Sequence, residues 1–132
     1  MNEEAFKVVR ILPNGRMVSF MSWLLGKNAV EYKIGEECKP VLVGSGLFLY
    51  KDLIEALSFV SDETDWAILR CAYVPHDKRP YAVPIIGLVG IEELWEYGET
   101  AYYQHDLAYL NEYVILASSV TPMEIVGSRG VW

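Results

Sequence analysis

The sequence predicts an α+β domain built on a mostly antiparallel sheet. Three observations carry that reading. An Asn14-Gly15 pair sits between two apolar runs, an amphipathic helix follows over about 52–61, and strand-like stretches lie on both sides of it. Strands, one helix and then more strands is the order expected of α+β architecture.

"AFKVVRILPNGRMVSFMSW" reads as an N-terminal hairpin. Phe6, Val8, Val9 and Ile11 are strand formers, and Met17, Val18 and Phe20 continue the returning strand. Asn-Gly is the strongest short-range hairpin signal because both turn positions tolerate positive φ, so a two-residue turn is expected. Pro13 falls just outside it. In "AVEYKIG", Val30, Tyr32 and Ile34 alternate with Glu31 and Lys33, the pattern of a half-buried strand. Gly35 and Pro40 then mark irregular chain. "VLVGSGLFLY" is one strand with a glycine kink or two short strands.

"KDLIEALSFVSDETD" is the clearest helix. Asp52 can accept from free amides of the first turn. Leu53, Ala56, Leu57 and Val60 fall at i, i+3, i+4 and i+7, one apolar stripe. In "WAILRCAYV", Ala67, Leu69, Cys71 and Tyr73 form the expected core face, with Trp66, Ile68, Arg70 and Ala72 opposite. Short helices are expected from Ile91 to Tyr97 and near Asp106. "VILASSVTPMEIVG" closes the chain as two strands or one bent strand, broken near Ser118, Ser119 and Pro122.

The 132 residues fit one domain, residues 1–132, without repeat or linker. A net charge of −7 argues against direct nucleic-acid binding, which needs clustered Lys and Arg. Nine tyrosines and four tryptophans hint at a subunit interface, so a homo-oligomer is expected. The start, "MNEEAFKVVR", lacks the apolar stretch of a secretory signal, and no apolar run approaches the roughly 20 residues of a membrane span. A cytoplasmic location is expected, including the cytoplasm of an infected host.

The chemistry-bearing motifs are sparse. "GSG" at Gly44–Gly46 lacks the third glycine and loop lysine of a phosphate cradle, and a strand-like run follows it. It reads as a glycine bend entering a strand. Cys38 and Cys71 form no CxxC pair, and with His76 and His105 they lack the spacing of a zinc site, so no metal and no cofactor are expected. No serine lies in a GxSxG elbow. His76 stands beside Asp77, Lys78 and Arg79, a group suited to an anion or a proton transfer. Glu92, Glu93, Glu96 and Glu99 read as a solvated acidic face. Tyr97, Tyr102, Tyr103, Tyr109 and Tyr113 suit packing, an interface or base stacking.

Tyr32, Gly35, Gly46, Leu47, Phe48, Tyr50 and Ala56, followed by Ser119, Val120, Pro122, Glu124, Ile125 and Val126, carry a resemblance. The pattern resembles a loose group of small bacterial and phage proteins of unknown function, over about two-thirds of the chain. It implies architecture and a phage or mobile-element association. The chain is also distantly similar to ADP-ribosyltransferase-type folds, which begin with a strand bearing Arg or His and later present a Glu. That likeness implies roles for Arg10 and Glu124, although the customary Ser-Thr-Ser strand and paired-Glu loop are not recognisable.

The function expected from these observations is a non-catalytic binding protein, partnered by a host protein or a small molecule such as a nucleotide. The alternatives are an enzyme on a nucleotide or NAD-like substrate, or a virion component. Arg10, His76 and Glu124 are the catalytic candidates. Arg79, Tyr102 and Tyr103 are the ligand-binding candidates.

Overall fold

The computed structural model describes residues 3–20, 30–40, 46–60, 65–76, 82–84, 107–109 and 112–129. In chain order these form strands β1 (Glu3–Ile11), β2 (Met17–Ser19), β3 (Glu31–Tyr32) and β4 (Leu47–Tyr50), helix α1 (Leu53–Phe59), and strands β5 (Trp66–Pro75), β6 (Ala82–Pro84), β7 (Leu107–Tyr109) and β8 (Val114–Arg129). Among the described residues the architecture is a mostly antiparallel sheet with one short helix.

β1 and β2 form the expected hairpin, with Val9 opposite Ser19 and Ile11 opposite Met17. Its turn is not the two-residue type. The Gly15 amide donates to the Leu12 carbonyl at 2.8 Å, and the Leu12 amide donates to the Arg16 carbonyl at 2.9 Å. Gly15 has φ +86°, and no described non-glycine residue has a positive φ. A two-residue Asn-Gly turn would need positive φ at Asn14 as well. Pro13 decides the matter. Its fixed φ fits the second position of a type I turn, Leu12–Gly15, and Gly15 then completes a three-residue loop.

The main sheet runs β3-β2-β1-β4-β8-β5, and β1 also pairs with β5, so the sheet closes into a ring. β1 lies against β5 from Glu3 to Arg10, and on its other edge meets β4 at Phe6 and β2 from Val9 onward. β8 is one bent strand of 16 residues. It pairs with β4 over Val114–Ala117 and with β5 from Ala117 to Arg129. The β5 register skips Ser118, Met123 and Val126, and each skip is a bulge that adds bend and twist. Pro122 is tolerated between two of these bulges. Its carbonyl accepts from the Gly35 amide, and Cys38 bridges to Val120, so the segment after β3 is tied to β8.

Alternation divides the side chains. Ala5, Val9 and Ile11 of β1 join Ala67, Leu69, Cys71 and Tyr73 of β5 inside the ring, with Tyr32, Leu47, Leu49 and Val120. The predicted core face of β5 is the observed one. The opposite face is also covered: Val8 and Ile68 are buried beneath α1, with Phe6, Tyr50, Leu53 and Trp66 packed around them. Val30 and Tyr32 are buried as expected, whereas Ile34 is exposed because a turn at Lys33–Glu36 ends the alternation.

In place of the amphipathic helix expected over about 52–61 there is a short helix of seven residues, Leu53–Phe59. Asp52 caps it, accepting from the Glu55 amide at 3.0 Å. Ala56 is buried, but Leu57 is 44% exposed and Ile54 78%. The apolar stripe is narrower than its spacing suggested because the chain is extended again at Val60. The helix expected near Asp106 is corrected in part: Leu107–Tyr109 is strand β7, paired with β6. That strand ladder overrides local helix pattern. The helix expected at Ile91–Tyr97 lies outside the described residues. Among the described residues no helix is long and apolar enough to cross a membrane.

Of the glycine bend expected at Gly44–Gly46, only Gly46 lies within the described residues, and it sits close against β8. A Cβ there would lie 2.5 Å from Leu116 Cδ1 and 3.1 Å from the Ala117 carbonyl oxygen. Leu116 is buried and has little room to retreat. Gly46→Val is therefore expected to cost about 2 kcal/mol by overpacking. Urea unfolding of the variant checks this, and an unchanged midpoint would refute the close approach of β4 to β8.

Candidate functional site

The outer face of the sheet carries the exposed charge. Arg10 lies opposite Trp66 on β5, and Trp66 lies opposite Arg129 on β8. Directly paired residues point to the same side, so an arginine flanks the indole on each neighbouring strand. Strand spacing puts the two arginine Cα atoms about 10 Å apart, within mutual reach of their long side chains. Gly127, next on the same face of β8, places no side chain beside the ring, where a Cβ would stand 3.8 Å from Trp66 Cζ3. The Trp66 Nε1–H is buried without a hydrogen-bond partner. Arg10 forms no ion pair with a described carboxylate.

Glu124 belongs to a different group on that face. Arg70 Nε donates to Glu124 Oε1 at 2.7 Å, and Arg70 Nη1 pairs with Glu4. The Glu124 carboxylate, and then Glu4, push the Arg70 guanidinium further up. Arg70 stands opposite Phe6, four residues along β1 from Arg10, which is about 13 Å. His76 follows the far end of β5, ten residues past Trp66 and so roughly 30 Å away along an extended strand. Its amide donates to the Leu116 carbonyl at 3.0 Å. The fold thus brings Arg10 beside Trp66 and Arg129, and sets Glu124 with Arg70 and Glu4. It does not bring Arg10, His76 and Glu124 together. Arg79, Tyr102 and Tyr103 lie outside the described residues, as do Arg79's neighbours Asp77 and Lys78, His105 and the carboxylates Glu92–Glu99.

A second group sits inside the ring and was not singled out from the sequence. Lys7 occupies an inward position of β1, between Ala5 and Val9. Its amine donates to the Phe48 carbonyl at 2.7 Å and stands 5.5 Å from the centre of the Tyr32 ring, within cation–π range. It fills the seam where β1 leaves β4 and joins β2. Desolvation holds the amine down at about 8, opposed weakly by Cys71. Tyr32 is 1% exposed. Its polar neighbour is the Ser19 hydroxyl, a side-chain hydrogen-bond partner that also accepts from the Val30 amide at 2.9 Å. Cys38 and Cys71 are buried free thiols, each pushed up chiefly by desolvation, Cys71 to about 12. The signal available in the sequence was the row Ala5-Lys7-Val9-Ile11, one lysine in an otherwise apolar alternation.

Among the described residues no group of three or more His, Cys, Asp or Glu side chains could hold a metal. The chain matches no family model, no curated protein and no solved structure.

Proposed function

We propose that the protein is a non-catalytic binding protein that sequesters a nucleotide-like small molecule on its outer face. Arg10 and Arg129 hold the phosphate, and the base lies against Trp66. The row Arg10–Trp66–Arg129 is the observation that carries this reading. Arginine suits phosphate because its planar donor fork pairs two oxygens at once. An indole adds about 1–3 kcal/mol for a stacked base. In a chain of net charge −7, a doubly cationic row is a local exception to the overall field. The likeness to small phage and bacterial proteins supports a role in the cytoplasm of a host cell. The aromatic excess supports a homo-oligomer.

Native mass spectrometry of protein purified from lysate tests this reading. A retained mass matching a nucleotide is expected, with the affinity of the re-added compound at least tenfold weaker in Arg10→Ala and Arg129→Ala. A clean protein mass, and no heat of binding with added nucleoside mono-, di- and triphosphates, would redirect the search to a host protein. Turnover of the compound, lost in Arg10→Ala or Glu124→Ala, would establish an enzyme instead.

A further inference from the structure

We infer that the outer edge of β8, from Glu124 to Arg129, is the interface of a homodimer in which a second copy of this chain lays its own β8 antiparallel to the first. This deepens the homo-oligomer part of the proposed reading. β8 has two edges, and β5 occupies one of them from Ala117 to Arg129. The other is covered by β4 over Val114–Ala117, bridged by Cys38 at Val120, and met at the Pro122 carbonyl by the Gly35 amide. Beyond Pro122 no described strand lies along it. Such an edge offers backbone amides and carbonyls to another chain, and proteins commonly blunt it with lysine or proline. The segment from Glu124 to Arg129 contains neither. Its Ile125 and Val126 are β-branched, apolar and exposed.

The occupant follows from charge, because the segment is complementary to itself. Glu124 lies opposite Arg70 and Arg129 opposite Trp66, so both project from the outer face. Residues five apart on a regular strand would point to opposite faces, and the bulge at Val126 brings these two onto one. Antiparallel pairing about a two-fold axis between Val126 and Gly127 then sets Glu124 of each copy across from Arg129 of the partner subunit. The two ion pairs are equivalent, as a two-fold interface requires. Any other register removes both pairs, so they fix the alignment. Both groups have capacity for the contact. Arg70 holds Glu124 Oε1 at 2.7 Å from the β5 side, and Oε2 has no described partner. A guanidinium has five donors, so Arg129 can add a carboxylate to the contacts it already makes. The paired segment is short, which places the interface in the weak class, below about 1,200 Å² of total buried area. The dimer is therefore expected to dissociate on dilution.

Sedimentation velocity of the full chain over a dilution series tests the interface. A monomer–dimer equilibrium that shifts with concentration is expected. Glu124→Arg and Arg129→Glu are each expected to weaken it by about tenfold or more, since each creates two like-charge pairs. The double swap, Glu124→Arg with Arg129→Glu, is expected to restore the wild-type equilibrium. Both side chains are exposed, so the swaps keep the fold, which urea midpoints of the variants check. A dimer indifferent to the single reversals, or a double swap as weak as either single one, would overturn this interface and leave the homo-oligomer reading standing. A monomer at every concentration would overturn both. Arg10→Ala leaves β8 unaltered and is expected to keep the dimer, so the interface and the nucleotide site fail separately.

Discussion

Leu69→Ala is expected to destabilise the chain by about 3–4 kcal/mol, among the largest effects of any single substitution here. Leu69 is fully buried inside the ring on β5. Its strand is paired on both sides, with Lys7 on β1 and Ile125 on β8 opposite it. Truncation loses the transfer energy of the side chain and leaves a void that two flanking strands cannot close. For a domain of this size the melting temperature should fall by about 10 °C or more. Against a typical total stability of about 5–15 kcal/mol, that is a large fraction. Ile54→Ala is the control. Ile54 is equally apolar but projects from the outer side of α1, so its loss should stay within about 0.5 kcal/mol. Urea unfolding with matched m-values would separate the two. Comparable midpoints for both variants would mean that the ring interior is not the core.

The same contrast shows what the sequence could and could not convey. Period-two alternation in "WAILRCAYV" assigned Leu69 and Cys71 to the core face, because each strand step reverses the side chain. It could not show that Ile68 is buried too, since that depends on α1 lying over the other face. The cap at Asp52 was legible because its chemistry is local. The fate of Leu57 was not, because it turns on where the helix stops. Asn14-Gly15 marked the hairpin, but Pro13 chose the turn. The bulges of β8 were foreshadowed at Ser118 and Pro122, yet strand continuity through them depends on β5 as a template.

The candidate residues suffered most from being read one at a time. Arg10 was visible as a charged residue in a strand, but its neighbours Trp66 and Arg129 arrive by register from distant parts of the chain. Glu124 is a candidate through the likeness to ADP-ribosyltransferase-type folds, and the register pairs its carboxylate with Arg70. Lys7 escaped notice because lysine ordinarily means solvent. Its inward position follows only when Ala5, Val9 and Ile11 are seen to share one side.

Stability between pH 7 and pH 11 should report that interior directly, through two opposing slopes. The Lys7 amine falls from its ordinary 10.5 to about 8 in the folded chain because burial disfavours the charged form. Between those values the unfolded chain holds a proton that the folded chain has released. Stability therefore rises with pH across that window, by up to about 3 kcal/mol in total. Cys71 acts in the other direction. Its thiol moves from 9.0 to about 12, so above pH 9 the unfolded chain loses a proton that the folded chain keeps. Stability falls through that range, by up to about 4 kcal/mol once pH 12 is reached. The buried Cys38 and Tyr32, both pushed up chiefly by desolvation, add to the fall above about pH 9 and pH 10 respectively. Tyr50 and Tyr73, each raised to about 12, contribute above pH 10. Lys7 alone should thus contribute a climb of about 1 kcal/mol from pH 8 to pH 9, partly offset by Cys71 and Cys38, so the wild-type chain should climb by less than that and then decline. Lys7→Met should lose the climb and keep the decline. Cys71→Ala should keep the climb and weaken the decline. Urea midpoints taken every half pH unit decide the matter. A wild-type curve flat from pH 8 to pH 9 and superimposable on that of Lys7→Met would show that the amine is solvated, and the interior placement of Lys7 would fail with it.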